Sequence, residues 1–179
     1  PLEQTGPSDF QAAHPGGTYD RGNTVDNMLP APASSPLCGL RVVELATVIA
    51  APSAAMLLCG LGADVVKVES AGAGDSWRHD GLQPGRQPSS SLFEQANRGK
   101  RSVVLDITTE SGLAAINALI GSADVFVTNV REKSLAKRGL DYETLHAAFP
   151  RLIYAHLSGW GRAGPRCHDP GYDIGCFGA

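Results

Sequence analysis

The side chains and turns of this sequence that could do chemistry are of the kinds that bind phosphate. Gly72-Ala73-Gly74-Asp75 follows a predicted strand, and the backbone N–H groups of such a turn can surround a phosphate, although most turns of this composition are only turns. Eight basic side chains could pair with phosphate or stay solvated at the surface. They are Lys67, Arg98, Lys100, Arg101, Arg131, Lys133, Lys137 and Arg138.

A metal site is a weaker interpretation. Cys167-His168-Asp169 has metal-ligating side chains, but it follows Gly164-Pro165 and is better explained as an exposed loop, so we expect no metal. The chain has four cysteines without a C-x-x-C pair, which favours a reducing compartment over a secreted disulfide framework.

Residues 40–69 contain the elements that would position a ligand. Residues 41–46 are short, apolar and β-branched, as in a buried parallel strand. Pro52 suits the first turn of a helix, Gly60 and Gly62 suit its end, and residues 64–69 form a second strand. A strand–helix–strand unit of this length predicts a right-handed crossover. Ligands of such sheets bind beyond the carboxyl ends of strands, here near residues 47–51.

Similar alternation continues to residue 156. Further strands are predicted at residues 102–106, 124–128 and 151–156. Helices are predicted from Thr108 or Thr109 to Ile120, at residues 135–140 as a short helix or turn, and at residues 142–148. Residues 70–93 read as a long surface loop. The fold class is therefore α/β, an open, doubly wound (Rossmann-like) parallel sheet.

Composition excludes several function classes. The net charge of the 179 residues is −3, so no basic surface points to nucleic acid. No apolar run approaches the length of a membrane span. Residues 1–36 are rich in Pro, Gly and Ser and lack a periodic apolar pattern, so we interpret them as an irregular extension before an α/β domain at residues 37–179.

Beyond these patterns, the sequence resembles the family III CoA-transferases, which include formyl-CoA transferase, carnitine CoA-transferase and α-methylacyl-CoA racemase. The resemblance covers about residues 37–179 and rests on several motifs in the family's order, besides residues 40–69. They are Asn97-Arg98-Gly99-Lys100-Arg101-Ser102, Ala123-Asp124-Val125-Phe126-Val127, Ser158-Gly159-Trp160-Gly161 and Pro170-Gly171-Tyr172-Asp173.

The resemblance implies a coenzyme A or acyl-CoA substrate and a set of binding residues. It places the Leu105 backbone against adenine, Asn129 near the thioester, and Ala50 against the reacting carbonyl. It places Lys137 at a phosphate-facing position, and Lys67 and Arg138 are further candidate phosphate contacts. Coenzyme A requires such cations for its phosphates and an apolar channel for its pantetheine arm.

Three positions discriminate among members of the family. Ile49 stands where formyl-CoA transferase has a glutamine, and Ser70 stands where it has a basic residue, which suggests a different acyl group or weaker binding. Tyr172, which the resemblance places near the reacting group, stands where the racemase branch has an acid/base histidine. Because tyrosine has a pKa near 10, it is a poorer proton shuttle, and Tyr172 favours the transferase branch.

The resemblance also implies a covalent mechanism whose nucleophile is an aspartate beyond Ala179, so no catalytic residue is assigned within this chain. The chain is then expected to be the N-terminal CoA-binding part of an acyl-CoA:carboxylate CoA-transferase, acting on acyl-CoA and a small carboxylic acid. Alternatives are a truncated, inactive subunit of a larger assembly and a racemase-like enzyme. Family members are homodimers, and the mitochondrial matrix or the cytoplasm is the expected compartment.

Overall fold

The computed structural model describes residues 35–79 and 90–171. Five strands alternate with helices along these residues. The strands are β1 (Arg41–Leu45), β2 (Asp64–Ser70), β3 (Arg101–Leu105), β4 (Val125–Thr128) and β5 (Ile153–His156). The helices are α1 (Ala50–Gly60), α2 (Ser91–Asn97), α3 (Glu110–Gly121), α4 (Glu132–Ala136) and α5 (Tyr142–Ala148), with a 3₁₀ turn at Ser76–Arg78.

The strands form one parallel sheet in the order β3-β2-β1-β4-β5. This confirms the predicted fold class and all five predicted strands. Strand order reverses beside β1, where β1 has β2 on one side and β4 on the other. The crevice of an open α/β sheet lies at such a reversal, so the carboxyl ends of β1 and β4 mark the expected ligand position.

Local sequence explains where the helices begin and end. The Thr109 side chain accepts a hydrogen bond from Gly112 N at 3.1 Å and caps α3, as predicted. Asp141 caps α5 in the same way through Thr144 N at 3.0 Å. Gly62 follows α1 with a φ of 102°, a conformation that favours glycine at a helix end.

Helices cover both faces of the sheet, as a doubly wound fold requires. On one face, Ala51 and Ala55 of α1 pack against Val42 and Val65. On the other face, residues of α3, α4 and α5 pack against β1 and β4. They are Ile116, Ile120, Leu135, Leu145, Val43 and Phe126. Full burial of a large apolar side chain contributes roughly 1.5–3 kcal/mol, so these two cores hold the sheet in place.

The structure corrects the predicted surface loop at residues 70–93. Asp75 is only 1% exposed, and α2 begins at Ser91, where the Ser90 side chain accepts a hydrogen bond from Phe93 N at 3.2 Å. Residues 80–89 lie outside the described residues. The helix predicted at residues 135–140 begins earlier, at Glu132.

Two further expectations concern the N-terminal extension and membranes. Residues 1–34 lie outside the described residues, so the predicted boundary at residue 36 stays a prediction. None of the helices within residues 35–79 and 90–171 combines the length and the apolar character that a membrane span needs.

Candidate functional site

The turn between β1 and α1 lies at the strand-order reversal, where it meets Asn129 from the end of β4. Asn129 Oδ1 accepts a hydrogen bond from Thr47 N at 3.1 Å, and its Nδ2 donates to Thr47 O at 2.7 Å. Ala50, the first residue of α1, lies exposed three residues further along. The structure therefore brings Asn129 to the turn that leads into Ala50.

Val48 in this turn has a strained backbone. Its φ is 69°, and among the described residues no other non-glycine residue has a positive φ. For a β-branched residue this conformation is unfavourable and persists only where the surroundings impose it. Val48 N donates to Asp75 Oδ1 at 3.2 Å, so a buried carboxylate holds the strained residue.

A cleft of about 380 Å³ opens beside the carboxyl ends of β2 and β3, against α4. Its lining mixes apolar side chains with polar groups and one cation. The lining residues are Ser70, Ala71, Leu105, Asp106, Ile107, Thr108, Val130, Ser134, Leu135 and Arg138. Leu105 and Arg138, two predicted site residues, meet in this cleft. An apolar wall with a cation at its rim fits one end of a nucleotide-bearing ligand.

Arg138 has unused hydrogen-bonding capacity. One terminal nitrogen donates to Ser134 O at 2.9 Å, while the buried Nε has no acceptor within the described part of the chain. A guanidinium binds phosphate well because it offers several donors in one plane. Lys137 next to it is exposed but does not line the cleft.

Asp106 also lines the cleft, but its carboxylate serves the local turn. Oδ1 accepts from Thr108 N at 2.9 Å and from Thr108 Oγ1 at 2.6 Å. These two hydrogen bonds hold the pKa of Asp106 below its ordinary value. The ionised side chain stabilises the connection from β3 to α3.

Lys67 is a correction to the predicted phosphate contacts. Its side chain is 1% exposed, and its ammonium contacts Glu44 Oε1 at 2.9 Å, Ala46 O at 2.8 Å and Asp75 Oδ2 at 3.0 Å. An ammonium has three hydrogens to donate. Two hydrogen bonds and the ion pair with Asp75 surround the ammonium with partners inside the protein, so Lys67 is not available to a ligand.

Lys100 is occupied in the same way. Its ammonium donates to Glu44 Oε2 at 2.6 Å, to Pro52 O at 2.8 Å and to Asn97 Oδ1 at 2.8 Å. Burial lowers the pKa of Lys100, and the contacts with Glu44 oppose that shift. Lys100 is therefore a structural cation.

The other basic residues lie apart from the cleft lining. Arg101 pairs with Asp64 at 2.6 Å, at the amino ends of β3 and β2 and so at the opposite edge of the sheet. Arg98, Arg131 and Lys133 are exposed. Only Arg138 of the eight basic candidates lines the cleft.

The turn Gly72-Ala73-Gly74-Asp75 uses its backbone internally. Gly74 N donates to Ser70 O at 3.2 Å, and Asp75 N donates to Glu69 Oε2 at 3.3 Å. Two of its N–H groups are thus occupied, and two buried carboxylates, those of Glu69 and Asp75, lie beside them. The turn is a structural connection, not a phosphate cradle.

The C-terminal candidates have different outcomes. Tyr172 lies outside the described residues. Cys167-His168-Asp169 forms a turn in which Asp169 pairs with Arg166 at 3.2 Å, and no group of three metal-ligating residues occurs within residues 35–79 and 90–171.

Sequence reasoning missed three buried acids: Glu44, Glu69 and Asp75, which are 0%, 4% and 1% exposed. Glu44 and Lys67 interrupt apolar strands, and they are direct partners in the β1–β2 register. A charge in the middle of a strand of valines is the signal that could have revealed them, because buried charges are normally paired.

The buried Glu69 forms a second ion pair near the cleft, with the partly exposed Arg78. Its two carboxylate oxygens each accept from Arg78 at 2.6 Å, and Ser102 Oγ donates to Oε1 at 2.6 Å. Burial would raise the pKa of Glu69, but Arg78, Ser102 and the backbone N–H of Asp75 together hold it below its ordinary value. Glu69 therefore fixes the segment from Ser70 to the 3₁₀ turn.

A sequence model of CoA-transferase family III matches residues 37–176. A succinate–glutarate CoA-transferase of Agrobacterium fabrum is 43% identical over 143 residues, which are 77% of this chain and 36% of that protein. Succinyl-CoA:glutarate CoA-transferase of Mus musculus is 40% identical over 138 residues, 77% of this chain and 31% of that protein.

Solved structures agree with these matches. The crystal structure of a CAIB/BAIF family protein from Brucella suis superposes with a TM-score of 0.73 at 44% identity, covering 78% of this chain and 38% of that one. The chain spans about a third of the length of the curated relatives that it matches.

Proposed function

The chain belongs to CoA-transferase family III, and we propose that it is the N-terminal part of an acyl-CoA:carboxylate CoA-transferase, the part that binds the coenzyme A thioester. The observation that carries this proposal is the cleft of about 380 Å³ in which Leu105 and Arg138 meet. Its apolar wall suits adenine or the pantetheine arm, and the guanidinium of Arg138, which lines the cleft, suits a phosphate.

The residues of the site have distinct roles in this proposal. Arg138 and the exposed Lys137 contact the phosphates, and Leu105 contacts the adenine through its backbone. Asn129 and Ala50 lie at the thioester end, beside the turn at the strand-order reversal. The two ends of the ligand would thus extend along one edge of the sheet.

The proposed reaction is a double displacement at an aspartate outside residues 1–179. Its carboxylate attacks the donor thioester, which forms a mixed anhydride and releases the CoA thiolate. The thiolate then attacks the aspartyl carbonyl, which yields an aspartyl-CoA thioester and frees the donor's carboxylate. The acceptor acid reverses these steps and leaves as the new acyl-CoA. The chain's own contribution is to bind and orient the thioester.

The test is calorimetric titration of coenzyme A into the 179-residue polypeptide. Replacing Lys137 and Arg138 together by Ala is expected to weaken binding about tenfold or more, because each charge-assisted hydrogen bond to phosphate contributes about 1.5–3 kcal/mol. Binding by the unmodified chain is expected to weaken as salt is added. The melting temperature should stay unchanged, since Lys137 is exposed and Arg138 half-buried.

Arg151→Ala is the matched control, because Arg151 is an exposed cation before the amino end of β5. It should leave coenzyme A affinity unchanged. If the unmodified chain binds no coenzyme A, the proposal fails and the alternative of a structural subunit is favoured. Equal affinities of the double variant and the unmodified chain would also contradict the assigned phosphate contacts.

The compartment and the partners are part of the same proposal. We place the protein in the reducing environment of the mitochondrial matrix or the cytoplasm. The three cysteines of the described residues, Cys38, Cys59 and Cys167, are free thiols, which supports this placement. A homodimer is the proposed assembly, by analogy with the family.

A further inference from the structure

The side chains of Asn129 and Asp75 form hydrogen bonds with the β1–α1 turn from opposite sides. Asn129 reaches it from the end of β4 and bonds both the N–H and the C=O of Thr47. Asp75 reaches it from the segment after β2 and accepts the N–H of Val48 at 3.2 Å. Consecutive residues of the turn are therefore tied to the two strands that flank β1.

Asp75 itself is anchored in a buried charge network. We call Glu44, Lys67, Asp75 and Lys100 the buried quartet, because their side chains are each at most 1% exposed. Lys67 bridges Glu44 and Asp75, and Lys100 binds the second oxygen of Glu44. With two acids and two bases, the quartet has no net charge.

The quartet also binds the backbone on both sides of the turn. Lys67 donates to Ala46 O at 2.8 Å, just before the turn, and Lys100 donates to Pro52 O at 2.8 Å, just after it. Together with Asp75 on Val48 N, these bonds fix residues 46–52.

The hydrogen bonds to residues 46–52 hold Val48 in a strained backbone conformation. A valine with a φ of 69° is unfavourable unless its neighbours determine it, and such residues cluster where a backbone must present groups in a defined direction. The next two residues, Ile49 and Ala50, are exposed, with Ile49 at 42%. The turn thus presents two apolar residues at the strand-order reversal.

We propose that Asp75 and Asn129 are positioning residues that clamp the β1–α1 turn, so that Ile49 and Ala50 stand against the acyl part of a bound thioester. The inference rests on the proposed function for the identity of the ligand. The clamp itself rests on the hydrogen bonds and on the strained Val48. Asp75 does not touch the ligand in this arrangement and acts through the turn.

The first measurement is amide hydrogen exchange, which needs no ligand. Asp75→Ala should speed exchange at Val48 N, and Asn129→Ala should speed it at Thr47 N, each about tenfold or more, because each change removes the acceptor of that N–H. Asp141→Ala is the matched control: it removes an aspartate that caps α5 and should leave both amides unchanged.

The second measurement compares binding of acetyl-CoA and of coenzyme A by calorimetry. If the clamp orients residues at the acyl end, Asp75→Ala should weaken acetyl-CoA binding at least several-fold while coenzyme A binding changes little. If Asp75 has only a structural role, Asp75→Ala should weaken the binding of acetyl-CoA and of coenzyme A equally. The double variant Asp75→Asn, Lys67→Met keeps an acceptor for Val48 N without leaving an unpaired charge. It should therefore restore the acetyl-CoA affinity, relative to that for coenzyme A, of the unmodified chain.

The outcomes separate the clamp from the proposed function. If the unmodified chain binds neither ligand, the proposed function fails, while the exchange measurement still decides the clamp. If exchange at Thr47 and Val48 is the same in the variants as in the unmodified chain, the clamp is overturned. Should Asp75→Ala not fold, Asn129→Ala decides, because Asn129 lies outside the core and its removal leaves the buried quartet intact.

Discussion

Two pairs of basic residues, both predicted as phosphate contacts or candidates for them, have opposite environments in the fold. Lys67 and Lys100 are buried beneath α1, and each ammonium has three partners. Lys137 and Arg138 lie at the end of α4, one exposed and the other half-buried at the cleft. All four are ordinary cations in the sequence.

What separates the two pairs is the number of hydrogen-bond donors that remain free. A buried charge must be paired to be tolerated, so the fold surrounds the ammonium groups of Lys67 and Lys100 with partners. Charge at the surface remains solvated and can exchange water for a ligand. Within this fold, therefore, a cation can bind phosphate only where the protein has not already satisfied it.

Lys67→Met is the strongest test of this contrast. The variant removes the only cation that contacts Asp75 among the described residues, while Glu44 keeps Lys100. Breaking a buried ion pair from one side costs about 3–5 kcal/mol, because the remaining charge stays buried and unpaired. We expect the free energy of unfolding, from urea denaturation, to fall by about that amount.

Lys137→Met is the matched variant for the other pair. It removes the same charge with the same replacement at an exposed position, so the free energy of unfolding should change by less than about 0.5 kcal/mol. Similar losses in the two variants would refute the contrast between saturated and free cations.

The five strands could be predicted from the sequence because each one has a recognisable pattern of residues of its own. Runs such as residues 41–46 and 124–128 are short, apolar and β-branched, and each begins and ends within two residues of the predicted position. The sequence predicts Thr108 or Thr109 as a cap from their place before a periodic apolar pattern, and the Thr109 side chain makes that bond. These features depend on near neighbours in the chain.

The buried quartet could not be predicted in the same way, because its contacts depend on the register between strands. Asp75 lies in a segment of Gly and Ser whose composition is typical of exposed loops, yet Lys67 on β2 brings it into the core. Whether Lys67 is saturated depends on Glu44, 23 positions away. Burial, and not residue type, decided which predicted cations remain available.

Glu69 lies between the buried quartet and the cleft, and it adjoins a residue of each. The next residue, Ser70, lines the cleft. On the other side, the backbone N–H of Asp75, a member of the buried quartet, donates to the Glu69 carboxylate. The pKa of Glu69 is held below its ordinary value of 4.5. A carboxyl with a lowered folded-state pKa stabilises the fold above its unfolded pKa, and this contribution disappears as pH falls through the folded pKa.

Glu69→Gln should therefore lower the free energy of unfolding at neutral pH by about 1–3 kcal/mol, because charge-assisted hydrogen bonds to Arg78 are lost. The difference between the unmodified chain and the variant should shrink once the pH drops below 4.5. Urea denaturation at several pH values between 3 and 7 measures it. A difference that is independent of pH would show that Glu69 contributes through shape and not through charge.

Arg101 extends the contrast to a cation that is paired but exposed, and only a small effect is expected there. Its guanidinium makes two bonds to Asp64, at 3.0 and 2.6 Å, yet the side chains are 66% and 48% exposed. Exposed ion pairs contribute about 0–1 kcal/mol, so Arg101→Ala should change the free energy of unfolding by no more than that. Because Arg101 begins β3, it lies at the opposite end of that strand from Leu105 and the cleft. Coenzyme A affinity should therefore equal that of the unmodified chain, and a tenfold loss would mean that the phosphates bind at the amino ends of the strands, against the assignment to Lys137 and Arg138.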